Sequence, residues 1–479
     1  MRGLADARRA AGPGGVPVPA SGEAPHPTAQ KGRPVSVPTP AFHTVPPRLK
    51  PNVRPERVAT PCAAEAARDP EGFWRRVAGE GTPLVGEPDA DGHRAVTFLW
   101  RGGDEFADVL LVANKVADAS SYDANRMERI PGTDVWHLTY RMRGDWRASY
   151  SVAPVPAHGE PLPPEAWPEP VRVRRERALA VSEPEERPAV ARWFDALSRA
   201  VPDPLARERL DDSLSVVSLP GAPPELWRTP DPTTPAGRVT AAEITSDLLG
   251  NTRTVWVHEP ARRPPNGLPW PVVVLLDGRD WHGLPLAPLL DGLVADGTLP
   301  PALTVMVDSL DMPTRVAELA CSDDFVAFLG GELLPWLGRD HWVSDDPGRT
   351  AVAGQSLGGL TAVYAAHRAP ERFGRAVSQS GSFWWPNVAV TGGESERMTK
   401  LVAAADAVPG RVHLTAGTNE WSLLDANRRL HAALLERGAA LGRDPGFAVF
   451  EEYNGGHDRA CWRAGLPDGL AFATADWER

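Results

Sequence analysis

A chain of 479 residues is too long for one ordinary domain and long enough for two or three, each with its own core. The 51 basic and 62 acidic residues leave a formal net charge of −11, a poor basis for phosphate contacts, which argues against nucleic acid as a partner. With 42% hydrophobic and 24% charged residues, and no run near the roughly 20 apolar residues of a membrane helix, the sequence reads as soluble and globular, with no membrane role.

Lys stands only at Lys31, Lys50, Lys115 and Lys400, so nearly all the positive charge is Arg. Cys62, Cys321 and Cys461 are odd in number and lack a C-x-x-C pair, which favours neither a disulfide framework nor a zinc ribbon and suits a reducing, cytoplasmic setting. No apolar stretch follows Arg8 and Arg9, so no signal peptide is expected.

Residues 1 to about 60 are dense in proline and poor in large apolar side chains, so burial cannot offset their ordering entropy. Residues 1–70 are accordingly expected to form a disordered leader, or at most a polyproline ligand. Ordered sequence is expected from Glu71. Short β-prone runs at 95–100, 108–113, 135–141 and 147–152, separated by turn residues such as Pro131-Gly132, predict a β-sandwich over 71–228. A helix-prone segment at 190–200 follows, and the run 214–219 is expected to return a strand to the sandwich. A Pro-rich joint at 229–235 then marks a boundary.

From 236 to 479 strands alternate with amphipathic helices, at 252–258, 271–276, 303–307, 350–353, 376–379, 412–416 and 448–452. Val272-Val273-Val274-Leu275-Leu276 is apolar throughout, as in a mostly parallel sheet covered on both faces. This half is expected to be an α/β domain.

Gly354-Gln355-Ser356-Leu357-Gly358 lies between the strand at 350–353 and a helix expected over 357–367. Such a strand-to-helix turn projects a nucleophilic serine above the sheet and tolerates only small neighbours. The base is then sought late in the chain, and His457 follows the strand at 448–452 in a glycine-bearing loop. Glu420 is the expected acid, after the strand at 412–416. Asp425 is its rival, a Ser–His dyad without an acid is the third possibility, and Asp458 adjoins the base too closely in sequence to orient its ring. The expected oxyanion donors are the backbone N–H groups of Leu357 and Arg279. No H-E-x-x-H, P-loop, EF-hand loop or G-x-G-x-x-G is present, so no metal site and no cofactor is expected.

These strings, with Asp308 to Asp324, Ser378-Gln379-Ser380-Gly381-Ser382-Phe383-Trp384-Trp385-Pro386 and Gly455-Gly456-His457-Asp458 leading to Cys461-Trp462-Arg463, resemble the enterochelin esterases, or ferric enterobactin hydrolases. In the first half, Thr97-Phe98-Leu99-Trp100-Arg101 and Arg129-Ile130-Pro131-Gly132-Thr133-Asp134-Val135-Trp136 look like the family's immunoglobulin-like substrate domain. The similarity spans about 71–479. It implies an immunoglobulin-like sandwich before an α/β-hydrolase catalytic domain. It also implies hydrolysis of the esters of a cyclic tri-catecholate siderophore that brings the iron with it, with Ser356 as nucleophile and His457 as base. Where the family's loop commonly has Arg-Glu-Pro, this chain has Asn419-Glu420-Trp421. Arg315 is expected to attract the anionic substrate, and Trp384 and Trp385 to wall its rings, with core packing the alternative for one of the two tryptophans. A general carboxylesterase, feruloyl esterase or acyltransferase, and a non-catalytic siderophore-binding protein, are the competing readings. The sequence leaves oligomeric state open, and spacing does not say whether Cys321 and Cys461 meet.

Overall fold

The computed structural model describes residues 54–478, apart from 159–161, 227–230 and 232, together with Pro47. Most of the expected leader and part of the joint at 229–235 lie outside the described residues. The described residues belong to one compact unit.

Structure begins before Glu71. Strand β1 (Glu56–Arg57) pairs with a later strand, and the helix Ala63–Arg68 buries Ala66 against Phe73, Trp74 and Val77. Composition conceals this because two or three small apolar residues suffice once a neighbouring helix, Pro70–Glu80, supplies the aromatic surface.

The first half stacks two antiparallel sheets. One has the order β1-β6-β3-β2, from β2 (Leu84–Pro88), β3 (His93–Arg101) and β6 (Val135–Arg143), with β5 (Glu128–Arg129) also on β6. The other is β4-β7-β8, from β4 (Phe106–Ala113), β7 (Arg147–Pro156) and β8 (Ser215–Ser218). Their facing side chains make one core, in which Phe98 and Tyr150 meet edge to face at 5.1 Å beside the fully buried Trp146. The run at 214–219 does return a strand to the sandwich. Between β7 and β8 the chain forms two helices, Glu169–Val181 and Arg187–Leu197. The first escapes periodicity because Arg and Glu occupy nearly every side of it.

The second half is an eight-stranded sheet of order β16-β15-β14-β13-β11-β12-β10-β9. Its strands are β9 (Arg238–Ser246), β10 (Asn251–Glu259), β11 (Val272–Leu276), β12 (Leu303–Val307), β13 (Thr350–Gln355), β14 (Arg375–Gln379), β15 (Arg411–Gly417) and β16 (Ala448–Tyr453). The pairs β9–β10 and β10–β12 are antiparallel and the rest parallel. Alternate residues of β11 enter two cores: Val272, Val274 and Leu276 one, Val273 and Leu275 the other. That double burial is why β11 reads as an unbroken apolar run. Strand β9 is not legible because it is a largely exposed edge. Among the described residues no helix is long and apolar enough to cross a membrane.

Candidate active site

The candidate site lies at the carboxyl ends of the parallel strands, where open α/β sheets place their ligands. Each of β11, β12, β13, β15 and β16 is followed by a segment that carries a candidate residue: Arg279, Arg315, Ser356, Glu420 and His457 respectively.

Ser356 links β13 to the helix Leu357–Arg368 with φ 58° and ψ −119°. A non-glycine residue held there carries backbone strain of about 1–3 kcal/mol, which the surroundings must enforce. They do so through hydrogen bonds from Ser356 N–H to the Gln379 carbonyl at 3.0 Å and from Ser382 N–H to the Ser356 carbonyl at 2.9 Å. Gly354 completes the turn: a Cβ there would lie 2.6 Å from the Gly358 carbonyl carbon. Leu357 is the first helical residue, so its N–H has no partner within the helix. Arg279 is likewise the second residue of the short helix Gly278–His282.

His457 Nδ1 lies 2.6 Å from Glu420 Oε2. Glu420 is buried, and its other oxygen accepts from the Ser380 hydroxyl at 2.6 Å, the Gly417 N–H at 2.7 Å and the Tyr453 hydroxyl at 3.1 Å. Burial works to raise this carboxyl, but the facing histidine and these donors outweigh it and hold it below the usual glutamate value. An ionised carboxylate only accepts, so Nδ1 carries a proton, and in the neutral imidazole Nε2 is the nitrogen with the lone pair. Trp462 braces the arrangement twice, donating from Nε1 to Ser380 Oγ at 2.8 Å and meeting the His457 ring edge to face at 4.8 Å.

Ser356 and His457 line one cavity of about 350 Å³. They are not hydrogen-bonded to each other: Ser356 Oγ lies 3.3 Å from Ser382 Oγ. The hydroxyl has three staggered positions about Cα–Cβ, and catalytic hydrogen bonds are commonly loose before substrate enters. The rival carboxylate, Asp425, makes no hydrogen bond or ion pair with His457. It sits in the first turn of the helix Ser422–Ala440, more than half exposed and paired with Arg428. Asp458, buried beside the base, caps the helix Arg459–Ala473 through Ala460 N–H and also accepts from Ser149 N–H of the sandwich at 2.5 Å.

Two binding expectations need correction. Trp384 and Trp385 are each 5% exposed and belong to the hydrophobic core, and the tryptophans that line the cavity are Trp281 and Trp462. Arg315 does line the cavity, but its guanidinium grips Asp277 with two bonds, 2.6 and 2.7 Å. The other cations at the cavity are also paired, Arg279 with Asp308 at 2.6 Å and Arg459 with Asp211 at 2.5 Å. Ser380, Tyr453 and Trp462 carry no signal of their own role in the sequence, although Ser380 and Trp462 fall in strings shared with the enterochelin esterases. Cys62, Cys321 and Cys461 are all free thiols. Among the described residues no cluster of His, Cys, Asp or Glu has the arrangement of a metal site.

Residues 246–473 match the putative esterase family, and residues 95–228 match the enterochelin esterase N-terminal family. The iron(III) enterobactin esterase of Dickeya dadantii is 36% identical over 434 residues, covering 84% of this chain and 92% of the relative. The chain belongs to the iron(III) enterobactin esterase family. As a member of this family it is a carboxylic ester hydrolase with an α/β-hydrolase-type catalytic half. The crystal structure of the ferric enterobactin esterase from Salmonella typhimurium superposes with a TM-score of 0.69 at 32% identity, covering 84% of this chain and 98% of that one. The enterobactin esterase from Shigella flexneri, solved in the presence of enterobactin, gives a TM-score of 0.67 at 30% identity, covering 84% and 97%.

Proposed function

We propose that this esterase hydrolyses the lactone esters of a cyclic tri-catecholate siderophore of the enterobactin type, inside the cell, through an acyl-serine intermediate. The observation that carries the reading is the Glu420–His457 contact of 2.6 Å at a cavity shared with Ser356, in a chain that matches enterobactin esterases over both halves. His457 Nε2 takes the Ser356 proton as Oγ attacks an ester carbonyl, and Glu420 stabilises the imidazolium that results. The N–H groups of Leu357 and Arg279 receive the developing oxyanion, each such donor contributing about 2.7–4 kcal/mol to the transition state. The imidazolium then protonates the leaving serine alkoxide, and water, deprotonated by the same nitrogen, releases the acyl group.

The two-sheet N-terminal half is read as an immunoglobulin-like substrate domain. The macrocycle preorganises three catecholates around one Fe(III), and cutting its esters removes that preorganisation, which weakens the hold on the metal. Iron is thus cargo of the substrate. The test is mass spectrometry of products from the ferric and iron-free lactones with the native enzyme and Ser356→Ala. Dihydroxybenzoylserine units are expected from the native enzyme alone, and their release by Ser356→Ala at the native rate would end the reading.

A further inference from the structure

An anionic substrate poses a problem at the cavity that holds Ser356, because each cation lining it is already paired with a carboxylate. Unpaired positive charge lies next door, in the sandwich half. A second cavity, of about 770 Å³, opens between the end of β4 and the two helices Glu169–Val181 and Arg187–Leu197. Lys115 and Arg174 line it, and among the described residues neither makes an ion pair or a side-chain hydrogen bond. Lys115 is half-buried, its ammonium depressed by desolvation against the fields of Glu420 and Asp118, and Arg174 is exposed. Asp118 and Glu186 also line the cavity, but Asp118 accepts from the N–H and hydroxyl of Ser120, and Glu186 from the Glu183 N–H.

The remaining surface suits a flat ring with hydroxyls. Trp193, Phe194 and Val190 give an apolar wall, and Ser149 and Ser151 give polar groups. The volume falls within the roughly 300–1,000 Å³ of small-ligand pockets. The cavity also abuts the catalytic histidine. Asn114 Nδ2 donates to the His457 carbonyl at 3.0 Å, and Lys115 Cγ stands 2.4 Å from where a Cβ on Gly456 would be.

We propose that this cavity is a binding site for one dihydroxybenzoyl group, its catecholate oxygens paired with Lys115 and Arg174 and its ring against Trp193 and Phe194. The ligand class rests on the siderophore reading above. Two sources share the chemistry: an arm of the macrocycle that is not being cut, and the released monomer. An ammonium partly withdrawn from water gains from an anionic partner, and a charge-assisted hydrogen bond is worth enough to change affinity about ten- to a hundredfold.

The test uses the full chain carrying Ser356→Ala, so that no ligand turns over, titrated calorimetrically with 2,3-dihydroxybenzoylserine and with the ferric tri-catecholate lactone. Arg174→Glu and Arg174→Gln are each expected to raise Kd at least tenfold. Arg172→Glu alters the charge of the same helix at a residue that does not line the cavity, and is expected to stay within twofold. A loss for both ligands marks the site as one for a substrate arm, and a loss for the monomer alone marks it as one for product. Unchanged Kd for both ligands in the Arg174 variants overturns the proposal, as does an equal loss in Arg172→Glu. Hydrolysis of the lactone by the native enzyme is scored separately, so that failure of the site and failure of the esterase reading are distinct results.

Discussion

Asn114, a residue of the sandwich, donates its side-chain N–H to the backbone carbonyl of His457 at 3.0 Å. The residues near His457 are held from the same side: Asp458 accepts from Ser149 N–H, and Asn454 accepts from Arg147 N–H at 3.1 Å while its amide donates to Asp145 at 2.7 Å. The first half of the chain therefore positions the candidate base of the second. Asn114→Ala is expected to lower kcat about three- to tenfold, the worth of one hydrogen bond of about 1 kcal/mol, with KM nearly unchanged. Steady-state kinetics check this, and a change in KM alone would contradict it.

Glu420→Gln replaces the acceptor facing His457 Nδ1 by an amide able to turn a donor toward it, which favours the wrong tautomer. A fall in kcat of about 10²–10⁴ is expected, as for the equivalent change in other triads. Asp425→Asn, on an exposed helix, is expected to leave kcat within twofold.

Asp458 gives a pH signature. Burial raises its carboxyl, with the Ser149 and Ala460 N–H groups opposing. The folded state thus holds this proton more tightly than the unfolded chain, so this group favours folding most below the ordinary aspartate value of about 4 and loses that contribution as pH rises through its raised value. Asp458→Asn keeps an acceptor and removes the titration. Its Tm is expected to fall less than the native Tm between pH 4 and 7, measured by calorimetry.

Arg315 and Asp277 form a pair whose side chains are only 18% and 10% exposed. Arg315→Ala leaves a buried carboxylate uncompensated and is expected to cost about 3–5 kcal/mol, whereas the double variant Arg315→Met/Asp277→Asn should recover most of that loss. Denaturant midpoints compare them.

Trp384→Ala is expected to cost stability, about 3–5 kcal/mol, because the ring sits in the core. Trp462→Phe keeps an aromatic ring but removes the bond to Ser380 that supports Glu420, and should lower kcat with a small change in Tm. The two variants separate the tryptophan that packs the core from the one that serves the site.

What the sequence reveals follows from how local the physics is. The doubly buried β11 and the small residues around Ser356 write their constraints into adjacent positions, so both are legible. The edge strand β9 and the Arg-rich helix Glu169–Val181 bury too little to leave a period. Glu420 can be picked out by its place after β15, but the Ser380, Tyr453 and Trp462 donors come from three separate stretches of chain, and only folding brings them to it. The pairing of Arg315 is hidden for the same reason, since its partner Asp277 lies 38 residues earlier and β11 and β12 are neighbours only in the sheet. Whether a tryptophan faces a core or a cavity is likewise a property of the packed molecule.

The Ser149–Asp458 bond joins the halves at a point closed to solvent, and it is flanked by the pairs Arg459–Asp211 and Arg463–Glu208. Severing the peptide between residues 226 and 233 would therefore not yield two independent modules. The fragments would stay associated on a sizing column, and the catalytic half made alone would leave Asp458 without its amide partner from the sandwich. For an engineer, the sandwich is the casing of the lock rather than a handle fixed to it, and exchange of N-terminal halves between relatives must carry the histidine loop along.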